Sequence, residues 1–107
     1  MYEYKAQVIS VYDGDSITVD IDLGFGIFMK GQKIRLLGID TPEIRGDERP
    51  EGLIARDALR ARIVGQSIII KTHKDTKGKY GRWLGEVILG SENINKWLLT
   101  EGYAKPY

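Results

Sequence analysis

The stretch Asp13-Gly14-Asp15-Ser16-Ile17-Thr18-Val19-Asp20-Ile21-Asp22-Leu23, "DGDSITVDIDL", decides the fold class. Ile17, Val19, Ile21 and Leu23 alternate with Ser16, Thr18, Asp20 and Asp22, the period-two pattern of a half-buried strand. Asp13-Gly14 is a two-residue turn signal, and "YKAQVISVY" before it also alternates, so the two segments form a hairpin with Asp15 just after the turn. "GFG" at 24–26 marks a bend, and "IFMKGQKIRLLGI" returns as a third strand with Gly31 as a second interruption.

Working outward, "RGDERPEG" is polar and turn-rich, and Pro50 is placed to open a helix, where a missing N–H costs nothing. Ile54, Ala55, Ala58, Leu59 and Ile63 then recur at helical spacing, and Gly65 stops the helix. "QSIIIKTH" and "RWLGEVIL" read as strands around the glycine-containing loop "KDTKGKYG". "SENINKWLLTEGY" is a short helix, with Ser91 as the expected N-cap, Ile94, Trp97 and Leu98 as the buried face, and Gly102 as the stop. Three strands, a helix, two strands and a helix is the order of a five-stranded OB-type Greek-key barrel, β-rich α+β, with one helix between strands three and four and a short C-terminal helix. The 107 residues fit one domain, 1–107.

Composition narrows the chemistry. With no cysteine, disulfides and thiolate metal sites are excluded, and a single histidine, His73, excludes a site needing two imidazoles. There is no apolar run of about 18 residues for a membrane span. "MYEYKAQVIS" carries no basic-then-apolar signal pattern, so a cytoplasmic protein is expected, although a leader already removed would leave no trace. Net charge is only +1, but Lys71, Lys74, Lys77, Lys79 and Arg82 face Asp75 alone between 71 and 82. Such a run is a solvated loop or a phosphate-facing one, and composition does not choose.

The polar residues at strand ends are more specific. Asp15 opens strand two and Asp40 closes strand three, which lie at one end of an antiparallel meander. Two carboxylates converging there, without His or Cys, suit a hard cation such as Ca²⁺ or Mg²⁺. Pro42 keeps Thr41 extended, leaving the Thr41 carbonyl available as a further oxygen ligand. Taken singly, Asp13, Asp15 and Asp40 read more simply as turn and strand-end residues; as a set they do not. Arg35 is harder to place. Strict alternation sends it to the face opposite Asp40, so a bulge or twist near Gly38 is required to bring the two together. Glu43 follows the proline turn, and Arg82 begins strand five after Gly78, Lys79, Tyr80 and Gly81, where the glycines allow close approach and Lys79 and Tyr80 offer a charge and a stacking face. A cation site, two arginines and a free glutamate are the parts of a phosphoryl-transfer site.

"VYDGDSITV", "KIRLLGIDTPE" and "KYGRWLGEV" resemble, in order, three signatures of the staphylococcal nuclease (thermonuclease) family, and the likeness runs over nearly the whole chain to "LLTEGYAKPY". The resemblance implies an OB barrel and Ca²⁺-dependent hydrolysis of phosphodiesters in DNA and/or RNA, single strands preferred. It implies Asp15, Asp40 and the Thr41 carbonyl as Ca²⁺ ligands, and Arg35 and Arg82 on the scissile phosphate, stabilising a phosphorane-like transition state. Glu43 would activate or position the water, and Lys79 and Tyr80 would bind nucleic acid. Ser16 stands where threonine is common, and "DLGFGIFMKGQ" is longer than in the type member. The sequence stops at Tyr107, short of the family's third, C-terminal helix, so either a compact member or a chain cut short of its tail is expected; Tyr103 and Tyr107 receive no stacking role. A monomer is expected, with a dimer as the alternative. The competing expectations are a non-catalytic OB module that binds single strands and, last, an interaction scaffold whose acids are turn residues.

Overall fold

The computed structural model describes residues 2–77 and 82–107, with side chains over 2–73 and 82–107. Strands β1 (Tyr2–Asp13), β2 (Ser16–Gly24) and β3 (Ile27–Leu36) form an antiparallel meander. The short β4 (Ile39–Asp40) and a 3-10 turn (Gly46–Glu48) lead into α1 (Arg49–Ile63). Then come β5 (Ser67–Lys77), β6 (Trp83–Leu89), β7 (Glu92–Asn93), α2 (Ile94–Thr100) and β8 (Lys105–Pro106). The sheet runs β3-β2-β1-β5-β6-β7, and a parallel β3–β6 pairing closes its first five strands into the OB-type barrel. This is the expected architecture, with α1 between barrel strands three and four.

Closure follows from where the apolar residues fall. Val8, Ile17, Val19, Ile34, Leu36, Ile70 and Val87 are buried inside the barrel from its five strands, and Leu59 and Ile63 of α1 and Ile94 and Leu98 of α2 join the same core. Burying each such side chain contributes about 1.5–3 kcal/mol, so the barrel ends are held where these residues put them. Leu23, expected inward with Ile17, is exposed because the β2–β3 hairpin runs out past the core. Its tip takes the tight turn read from "GFG", with Gly24, Phe25 and Gly26 all at positive φ. Gly31, at φ 67, sits where the β2–β3 register slips within a continuous β3, and its N–H donates to Asp20 Oδ1 at 2.9 Å.

The helices depart from expectation in two details. Ile54 is exposed, and Gly52 joins Ala55, Leu59 and Ile63 in the buried stripe of α1, because the helix, which starts at Arg49, is rotated to seat Gly52 against the Glu43 backbone. The N-cap of α2 is Asn93, not Ser91: Asn93 Oδ1 accepts from the Lys96 N–H at 3.1 Å, while β7 extends the strand pairing to Asn93. Ile94 and Leu98 are fully buried as expected, Trp97 is partly buried against the core with its ring tilted onto that of Tyr103, and Asn95 is buried beside them.

Candidate active site

The two acids expected at strand ends meet at one end of the barrel. Asp15 occupies the β1–β2 turn, one residue ahead of β2, because Asp13 pairs with Ser16 across a two-residue loop. Asp13 Oδ1 accepts from the Asp15 N–H at 3.1 Å, an Asx-type contact that holds the turn. Asp15 is buried. Its Oδ2 accepts from the Thr41 N–H at 3.1 Å, so β4 is tied to the hairpin through this carboxylate. Gly14 makes the contact possible: a Cβ there would lie 2.7 Å from Thr41 Cγ2.

Arg35 resolves against the simple alternation. β3 ends at Leu36, and a turn at Leu37-Gly38 with Gly38 at φ 80 resets the side-chain direction before β4. The irregularity needed near Gly38 is therefore present, and Asp40 returns to the side of Arg35. Arg35 Nη2 lies 3.3 Å from Asp15 Oδ2 and 3.7 Å from Asp40 Oδ1, and Nη1 donates to the Leu36 carbonyl at 2.8 Å. One cationic centre thus sits between both carboxylates.

Arg82 enters from the other side. Its Nη1 donates to Ser16 Oγ at 2.8 Å, and Ser16 Oγ donates to Asp15 Oδ1 at 3.3 Å. Ser16, noted in the sequence only as a mild departure, links the second arginine to the acid. Glu43 is exposed, and its N–H donates to Glu48 Oε1 at 3.0 Å. Asp15, Arg35, Asp40, Thr41, Glu43 and Arg82 all line one open cavity of about 1100 Å³. The expected catalytic and metal residues are therefore brought together. Lys79 and Tyr80 lie outside the described residues.

The donor set fits a hard cation in kind. Asp15 and Asp40 present carboxylate oxygens around one charge, and the buried Thr41 Oγ1 has no hydrogen-bond partner. Among the described residues no cluster of three or more His, Cys, Asp or Glu is arranged for a metal, so a cation here would draw its remaining ligands from solvent or substrate oxygens. Asp13 is the site's perturbed acid. Burial, then its hydrogen bond to Asp15 and the Asp15 charge, push its carboxyl up to about 6.

Three contributors were not legible in the sequence. Gly52 brings α1 against the Glu43 backbone, where a Cβ would lie 2.1 Å from the Glu43 carbonyl oxygen. Asn95 of α2 accepts from the Val87 N–H at 3.0 Å and donates to the Leu37 carbonyl at 2.9 Å, fixing the turn that reorients Asp40. Tyr107 places its ring 5.5 Å from Arg35 Cζ, held there by its N–H on the Gly38 carbonyl at 3.1 Å and by β8 pairing with β4. A glycine ahead of a helical stripe was the one available signal; nothing local marks Asn95 or Tyr107.

The comparison with known proteins settles the lineage. The staphylococcal nuclease homologue family model matches residues 33–107, which include Arg35, Asp40, Thr41, Glu43 and Arg82. The chain belongs to the staphylococcal nuclease family. Among its relatives, the thermonuclease of Staphylococcus hyicus is 37% identical over 106 residues, covering 96% of this chain and 59% of that protein. The thermonuclease of Staphylococcus intermedius is 34% identical over 98 residues, covering 89% and 55%. Endonuclease YhcR of Bacillus subtilis is 32% identical over 115 residues, covering 98% of this chain and 9% of that protein. The chain thus spans little more than half the length of the two thermonucleases. Family membership accounts for residues of all three signatures, Asp15, Arg35 and Arg82 among them, lining one cavity.

Proposed function

We propose that this chain is a Ca²⁺-dependent nuclease that hydrolyses phosphodiester bonds in DNA and/or RNA, with single strands preferred. The observation that carries the proposal is the bracketing of one charge by Asp15 and Asp40, with Arg82 and Glu43 on the wall of the same cavity. The names of the thermonuclease and endonuclease relatives support it.

Asp15, Asp40 and the Thr41 carbonyl would hold Ca²⁺, which supplies Lewis-acid stabilisation of phosphate charge when bound. Arg35 and Arg82 are hydrogen-bond donors fixed before substrate arrives, Arg82 on Ser16 and Arg35 on the Leu36 carbonyl. Both guanidinium groups line the cavity and carry the donors that would meet the charge growing on a pentacoordinate phosphorus. Glu43 is exposed on the cavity wall, and its carboxylate accepts a proton from the attacking water or orients that water. Its backbone is fixed on both sides, by Glu48 at the N–H and by Gly52 at the carbonyl.

One observation favours a second reading. Arg35 already pairs with both acids, so their charge is balanced without a cation, as a module that binds single strands without cutting them would require. Release of acid-soluble nucleotides from denatured DNA separates the two. The nuclease turns over at millimolar Ca²⁺, and Glu43→Gln or Arg82→Ala lowers the rate at least ~100-fold. Tight binding with no turnover establishes the module instead, and undiminished cleavage by both variants removes the assigned roles.

A further inference from the structure

The cavity continues past the reacting centre along β1, and its wall there has the composition of a nucleotide-binding surface. Tyr12, Arg45 and Arg60 line it together with Glu43 and Asp15. At about 1100 Å³ it exceeds the 300–1000 Å³ usual for a single small ligand.

We propose that Tyr12 and Arg45 form a second nucleotide subsite, in which the Tyr12 ring stacks on a base and the Arg45 guanidinium holds an adjoining phosphate. This rests on the nuclease reading for the identity of the ligand as a single nucleic-acid strand, and adds a binding locus to it. Tyr12 falls between Val11, paired with Ile17, and Asp13, paired with Ser16, where the β1–β2 register slips by one residue. It is the extra residue of a bulge, and bulges re-aim a side chain. Tyr12 is 54% exposed and lines the cavity, so its side chain is accessible to a partner. Arg45 Nη2 donates to Tyr12 Oη at 3.0 Å. Among the described residues Arg45 makes no ion pair, so its charge is oriented by a neutral acceptor and left for an anion. Arg60 behaves differently: Nε and Nη2 both donate to the Val11 carbonyl, at 3.2 and 3.1 Å, which fixes a second cation beside the bulge. An open aromatic ring coupled to an uncompensated arginine is the pair that single strands use, stacking for the base and charge for the phosphate.

The alternative for the Tyr12–Arg45 bond is a structural pin on the loop that follows Glu43. Anisotropy titrations of labelled thymidylate dinucleotide and octanucleotide in EDTA separate the two, with Tyr12→Ala, Tyr12→Phe and Arg45→Gln compared against the unmodified chain. The expected result is that Tyr12→Ala and Arg45→Gln weaken octanucleotide binding by roughly tenfold, and that Tyr12→Phe, which keeps the ring, stays within about twofold. Dinucleotide affinity is unchanged in all three. Arg45→Gln also lowers the dependence of log affinity on log salt by about 0.7. Equal losses in Tyr12→Phe and Tyr12→Ala establish the pin and overturn the subsite. Octanucleotide affinity untouched by Tyr12→Ala and Arg45→Gln overturns it while the nuclease reading stands. An unmodified chain that binds neither strand in EDTA and cuts neither at millimolar Ca²⁺ overturns both.

Discussion

Gly52 and Glu43 meet backbone to backbone: a Cβ on Gly52 would stand 2.1 Å from the Glu43 carbonyl oxygen and 2.5 Å from its carbonyl carbon. No real Cβ sits that close to a backbone atom, so α1 and the segment carrying Glu43 keep their spacing only because residue 52 is glycine. Gly52 lies in the first turn of a helix, where alanine ordinarily stabilises by about 0.5–1 kcal/mol. Here Gly52→Ala is expected to do the opposite, lowering stability by about 1–3 kcal/mol as the two segments part. The displacement acts on Glu43, so kcat falls more than substrate binding does. Thermal melting and steady-state kinetics check this; a Gly52→Ala protein that is more stable and equally active disproves the contact.

Arg35 holds two carboxylates at once, and its side chain and that of Asp15 are largely buried. Arg35→Gln leaves both acids uncompensated. A loss of about 3 kcal/mol is expected in chelator, as when one partner of a buried ion pair is removed. Added calcium recovers more of the melting temperature in the variant than in the unmodified chain, because bound cation then relieves repulsion that Arg35 otherwise relieves. Equal calcium shifts in both proteins indicate that the acids do not take the ion.

Asp13 supplies a pH dependence of definite sign. Its carboxyl is raised to about 6 from 3.8 by burial and by Asp15, so the folded state holds that proton more tightly than the unfolded chain. The stability linked to it is fully present below about pH 4 and is lost as pH rises through about 6. Asp13→Asn keeps the oxygen that accepts from the Asp15 N–H and removes the titration. In metal-free buffer the variant is expected to gain on the unmodified chain steadily from pH 4 to pH 7, read as the difference in melting temperature. A difference that does not change with pH contradicts the assignment.

Asn95 serves three backbone groups from inside α2. Its Oδ1 accepts from Val87, and its Nδ2 donates to the carbonyls of Leu37, at 2.9 Å, and Gly85, at 3.2 Å. Asn95→Ala leaves buried backbone groups without partners and costs about 2–3 kcal/mol. It also frees the Leu37-Gly38 turn that aims Asp40, so calcium binding weakens as well. Amide exchange at Val87 and calorimetric titration of calcium measure the two effects; calcium affinity unchanged in a folded variant separates Asn95 from the site.

Much of this protein is written in local pattern. Alternation from Ile17 to Ile21 makes β2, Asp13-Gly14 makes the hairpin, and Pro50 with the Ala55–Leu59–Ile63 spacing makes α1. Acids beside turns are enough to single out Asp15 and Asp40 as a pair, because turn chemistry and strand period act over a few residues, whereas Glu43 alone reads as a loop acid and is singled out by the family resemblance. Arg35 marks the boundary. Period-two alternation sends it away from Asp40, and only the positive-φ turn at Gly38, held by Asn95 from a helix 58 residues away, brings them to 3.7 Å. The misplaced Ile54 has the same origin, since the rotation of α1 is set by Gly52 against Glu43 and not by the helix's own spacing. The sequence by itself determined the strands, the helices and the residue types at their ends. Tertiary structure decided which ends meet, because barrel closure between β3 and β6 is a packing event between residues about 50 positions apart, which no local period encodes.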